Sequence, residues 1–70
     1  MLIDKRQFVL GSQVYDLSVR EERGGYFGAW FCQDCHHGGV SYELLPSIED
    51  AFSQAMSGAE RHQSEKHRSN

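Results

Sequence analysis

Four residues stand out by type and spacing. Two residues separate Cys32 from Cys35, and four separate His62 from His67. Thiolate sulfur and imidazole nitrogen are the usual donors to zinc, which takes four of them in a tetrahedron. A Cys-x2-Cys turn lets both sulfurs converge on a single ion, and a histidine pair at a helix end supplies the other two donors. The spacing therefore predicts one structural zinc ion bound by Cys32, Cys35, His62 and His67. His36 and His37 follow the cysteines directly, and either could replace His67 if the helix ends early.

Other chemistries of the same residues fit less well. Cys32-Gln33-Asp34-Cys35-His36 matches the attachment pattern of c-type haem. That cofactor needs export, a large apolar cavity and a second axial ligand. Met1 to Leu10 carries Asp4, Lys5 and Arg6 inside its apolar stretch, so it does not read as a signal peptide. A thioredoxin-like redox pair belongs at a helix N-terminus within a βαβ unit, whereas these cysteines fall between strands. The stretch from His62 to His67 lacks the histidine spacing and the glutamate of a metalloprotease helix. Four protein ligands also leave no open position for a catalytic water. With no nucleophile–base pair and no phosphate loop, the expectation is a protein that is not an enzyme.

The elements that must position these residues are legible in the hydropathy pattern. Leu2 to Leu10 is a candidate edge strand, ended by a turn at Gly11-Ser12. Gln13 to Glu22 alternates, with Tyr15, Leu17 and Val19 on one face, the period of a half-buried strand. Gly24-Gly25 marks a tight turn into Tyr26 to Phe31, so these two strands should form an antiparallel hairpin. Tyr26 and Trp30 share one face of that strand, Phe27 and Phe31 the other. A further strand is expected over Val40 to Leu45, with Val40, Tyr42 and Leu44 on one side.

Pro46 and Ser47 then open a helix, with Ser47 as N-cap and Glu49 and Asp50 in the favourable first turn. Ile48, Ala51, Phe52, Ala55, Met56 and Ala59 form its apolar stripe, which His62 continues. Gly58 inside the helix costs about 1 kcal/mol relative to alanine. The fold class expected is α+β: a three-stranded antiparallel sheet, with a possible extra N-terminal strand, and one C-terminal helix, in the order βββα.

Chain geometry reconciles these elements with the 26 residues between Cys35 and His62. Gly39 to Leu45 leads away from the cysteine turn over roughly 23 Å. Ser47 to His62 returns over roughly 24 Å of helix. The helix end should thus arrive beside the cysteines. His67 lies about 140° around the helix from His62, so the last turn should loosen to admit both.

Seventy residues with 39% hydrophobic and 24% charged content fit one folded domain over 1–70, with its core at about 13–67 and a polar tail at 68–70. A chain this short builds a marginal core and often relies on a metal or a disulfide. The formal net charge of −3 argues against a general nucleic-acid binder. No run approaches the length of a membrane span. The expectation is a cytoplasmic protein with no membrane association, and in a reducing compartment spaced cysteines point to metal rather than a disulfide.

With Cys32, Cys35, His62 and His67 on a hairpin followed by a helix, the stretch from Tyr26 to His67 resembles a Cys2His2 zinc finger, enlarged and with non-standard spacing. It departs from DNA-reading fingers in its helix surface: Glu49 and Asp50 at the helix start would repel phosphates. The finger resemblance leaves a nucleic-acid role to Arg61, Lys66 and Arg68 as an alternative. Tyr15-Asp16-Leu17-Ser18-Val19, the turn from Glu22 to Tyr26, and Ser47-Ile48-Glu49-Asp50-Ala51 are similar to the HicB-like antitoxin fold. That resemblance spans about Gln13 to Arg61 and implies a βββα order and a regulator that neutralises a small RNase; the zinc ligands are not part of its pattern. The expected function is a zinc-stabilised protein-interaction or regulatory module. Its partner would be another protein. The rings of the aromatic strand are read first as core packing on the helix side with cover from the N-terminal segment; self-association through that strand, with Tyr26 and Trp30 exposed, is the alternative.

Overall fold

The structure, a computed structural model, describes residues 2–40 and 43–67. Tyr42, expected in a strand, and Arg68, in the polar tail, lie outside the described residues. The chain is α+β. Strands β1 (Leu2–Leu10), β2 (Gln13–Glu22), β3 (Gly25–Cys32) and β4 (Gly38–Val40) form one antiparallel sheet in the order β1-β2-β3-β4. Helix α1 (Ile48–Lys66) packs on β2 and β3. The additional N-terminal strand is present as β1, paired with β2 along almost its whole length. Arg6 in β1 stacks over the Phe52 ring at 3.9 Å and reaches Glu49 at 3.3 Å, which ties this edge to the helix.

Turn chemistry sets the register. β2 and β3 are joined by Arg23 and Gly24, whose φ angles are 53° and 79°. The pair of positive φ values is that of a type I′ hairpin, whose twist matches the flanking strands. The turn sits one residue earlier than the Gly24-Gly25 pair suggested, and Gly25 belongs to β3 instead. Gly25 is buried there, and a Cβ on it would meet Leu44 at 2.8 Å. Glu22 consequently faces Gly25, Leu17 faces Trp30, and Tyr15 faces Cys32.

Residues opposite one another share a face, so the helix side of the sheet carries Phe8, Tyr15, Leu17, Val19, Tyr26, Gly28, Trp30 and Cys32. The core is Tyr15, Leu17, Val19 and Cys32 from the sheet with Ala51, Phe52, Ala55 and Ala59 from the helix. Tyr26 and Trp30 pack against this core. Core packing of the aromatic strand on the helix side therefore holds, and the alternative of exposed Tyr26 and Trp30 is corrected: the open face of β3 carries Phe27 and Phe31. Val9, Phe31 and Val40 are exposed on that face.

The strand expected over Val40 to Leu45 is displaced. β4 pairs with β3 from Gly38 to Val40, and contact resumes at Leu45, which exchanges both backbone hydrogen bonds with Tyr26 (2.9 and 2.7 Å). Two glycines at its start let β4 lie close to Trp30, since a Cβ on Gly39 would meet the indole within 3 Å. Ser47 caps the helix as its sequence position suggests: its side chain accepts from the Asp50 N–H at 3.1 Å. Gly58 has a packing reason, because a Cβ there would collide with the Trp30 indole.

Candidate metal centre

Each of the four residues is delivered by a different piece of local structure. Cys32 ends β3, where its N–H donates to the His37 carbonyl at 2.7 Å and its own carbonyl accepts from the His36 N–H at 2.9 Å. These bonds close a turn that brings Cys35 back beneath Cys32. His36 makes that closure with a left-handed φ of 61°. His62 lies on the buried stripe of α1. His67 caps the helix, its N–H donating to the Gln63 carbonyl at 3.0 Å. The last turn does not unwind as the sequence suggested. It stays helical through Lys66, and only the cap residue departs, with φ −122°.

The structure brings Cys32, Cys35, His62 and His67 together, one donor atom from each within 4.8 Å of all the others. Cys35 Sγ lies 3.1 Å from His62 Nε2, Cys32 Sγ 3.5 Å from His67 Nε2, and the two Nε2 atoms 3.2 Å apart. Ordinary zinc–sulfur and zinc–nitrogen bond lengths on one tetrahedral ion put sulfur and nitrogen about 3.6 Å apart and two nitrogens about 3.3 Å apart. The four residues are thus positioned to coordinate one metal ion. Both cysteines are free thiols, with Cys32 buried.

The surroundings of Cys32 and His62 favour the metal-binding form of each. Burial alone would raise the Cys32 thiol. The backbone N–H groups of Cys35 and Asp34, with the Cys35 and Tyr15 side chains, outweigh it and hold Cys32 below its usual range. Burial lowers His62, and the neighbouring His67, His37 and Lys66 add to this against the opposing charge of Glu65. A neutral imidazole is the form that binds metal. The His62 ring is also fixed in place, 5.0 Å from the Trp30 ring and 6.0 Å, edge-on, from the Tyr15 ring.

Behind the donors runs a polar chain that the sequence did not reveal. The Tyr15 hydroxyl donates to Gln63 Oε1 at 2.8 Å, and Gln63 Nε2 donates to Gln13 Oε1 at 2.8 Å, joining the helix end to β2. Burial, with the nearby Cys32, Cys35 and Asp34, pushes the Tyr15 phenol well up, so it stays a proton donor. A two-residue turn centred on Arg23-Gly24 would have signalled Tyr15 as the residue facing Cys32; nothing in residue type marks Gln63. Of the competing histidines, His36 turns its ring to Phe31, 6.0 Å away. His37 Nδ1 sits 3.5 Å from Cys35 Sγ without belonging to the four-donor cluster. Arg61 and Lys66 are exposed on α1. Among the described residues no helix is long and apolar enough to cross a membrane.

No protein-family model, curated protein or solved structure matches this chain.

Proposed function

We propose that this chain is a small zinc-binding domain in which Cys32, Cys35, His62 and His67 hold one structural ion, and that it serves as a protein-interaction or regulatory module rather than an enzyme. The observation that carries the metal reading is the donor spacing of 3.1–3.5 Å between sulfur and nitrogen and between nitrogens. Two thiolates and two imidazoles favour zinc over calcium or magnesium, which prefer oxygen donors. Four protein donors complete the tetrahedron and leave no place for a reacting water, as suits a structural ion. Neutral histidines and two thiolates also cancel the ion's charge within a half-buried site.

The ion would fasten the end of α1 to the loop between β3 and β4. Metal analysis of the purified chain should find one zinc per chain, and a chelator should lower its melting temperature. A metal-free chain with an unchanged melt would overturn the reading. The interaction role is supported by Val9, Phe31 and Val40, which expose apolar surface on the sheet face opposite the helix, and by a net charge of −3. Binding through such a surface should persist as salt is raised, whereas affinity carried by phosphate contacts would fall steeply.

A further inference from the structure

We propose that His37 is an alternate fourth ligand, able to take His67's place on the ion while Cys32, Cys35 and His62 stay bound. This rests on the metal reading above. His37 Nδ1 is 3.5 Å from Cys35 Sγ, close to the roughly 3.6 Å that separates sulfur and nitrogen donors on one tetrahedral ion. Its ring stands edge-on to His62 with centroids 5.6 Å apart. It is therefore a near neighbour of two of the four donors, one side-chain rotation from the cluster.

The backbone keeps it there independently of the helix end. The His37 carbonyl accepts from the Cys32 N–H at 2.7 Å, so His37 is anchored to the end of β3. Its side chain is exposed and free of the packing that clamps His62. His67 has the opposite character. It is the helix cap, and the other three donors are held elsewhere: Cys32 ends β3, Cys35 lies in the turn after it, and His62 is packed against Trp30 and Tyr15.

Exchange would break one metal–nitrogen bond and form one. The neutral His67 leaves, the neutral His37 arrives, and the set remains two thiolates and two imidazoles with its charge unchanged. No proton or electron moves. Water in the same position would change the donor set, so His37 is the better replacement. The consequence is that the His67 cap can leave the site while His62 keeps the helix on the ion. His36 is placed less well for this, since its ring faces Phe31.

Cobalt(II), whose absorption reports tetrahedral thiolate–imidazole coordination, distinguishes the cases on the full chain. His37→Ala removes the alternate ligand and leaves His67 on the ion. His67→Ala should keep the tetrahedral spectrum and lose no more than about tenfold in affinity. The double variant should bind at least about 100-fold more weakly than His67→Ala, since losing even an outer-shell partner costs roughly 10–100-fold. A His67→Ala variant as weak as the double variant would overturn the proposal. Cadmium-113 coupling to ring nitrogen-15 gives an independent reading: in His67→Ala it should appear at Nδ1 of His37, and its absence there would equally overturn it. A wild-type chain that takes up no cobalt would remove the metal reading itself, and this proposal with it.

Discussion

At the scale of single residues, the cysteine turn combines good donor placement with one strained position. His36 adopts φ 61°, immediately after Cys35. For a residue with a Cβ this left-handed conformation costs roughly 1–2 kcal/mol. Glycine escapes that cost but loses roughly 0.5–1 kcal/mol more in chain entropy on folding. The balance favours glycine by about 0–1.5 kcal/mol, and the exposed His36 gives up only its ring contact with Phe31. His36→Gly should therefore raise the denaturant midpoint of the metal-loaded chain and leave metal stoichiometry unchanged. A lower midpoint would show that the Phe31 contact outweighs the backbone strain. His62 contrasts with His36. Its backbone is helical, and its ring is buried between Trp30 and Tyr15.

At the scale of elements, a close helix–sheet crossing seats the helix that carries His62. α1 crosses β3 at Gly28, where a Cβ would run into the Ala51 carbonyl and stand 3.1 Å from the Ala55 Cβ. Backbone cannot swing aside as a flexible side chain can, so Gly28→Ala must lift the helix. The cost should be about 1–3 kcal/mol, as for other overpacked cores. Because the lifted helix carries His62, metal affinity should fall with stability. A variant that melts as wild type does would refute the close crossing.

Much of this arrangement was legible in the sequence. The alternation of Tyr15, Leu17 and Val19, the stripe from Ala51 to Ala59 and the cap at Ser47 report local periods and caps that tertiary packing kept. The cysteine and histidine spacing marked the four residues the fold assembles. The turn was misplaced by one residue because Arg23 takes a positive φ that glycine would be expected to supply. Core packing was the first reading of Tyr26 and Trp30, but β3 is aromatic on both sides, and only the helix contacts choose between its faces. The tether from Tyr15 through Gln63 to Gln13 depends on a register no local pattern displays.

At the scale of the whole molecule, the core is small: the residues fully buried from the helix include three alanines and one large side chain, Phe52. With so little apolar area, a bound ion would support the fold directly, because its binding energy would become folding energy. That linkage fixes the sign of the pH dependence. Loaded and folded, the four donors carry no exchangeable proton on sulfur or on the bonded nitrogen. Unfolded and metal-free, the cysteines bind protons below about pH 8.5 and the histidines below about pH 6.5. The unfolded state therefore holds more protons across this range, and stability must rise with pH. Each proton contributes about 1.4 kcal/mol per pH unit. At constant free zinc the slope should be about 2.7 kcal/mol per unit between pH 6.5 and 8.5, where only the thiols differ, and about twice that below pH 6.5, where the histidines join them. Denaturant melts at several pH values, with free zinc buffered to one value throughout, measure both slopes. A profile that stays flat down to pH 5 would mean that the donors do not exchange protons for metal on folding, and that the small core stands without the ion.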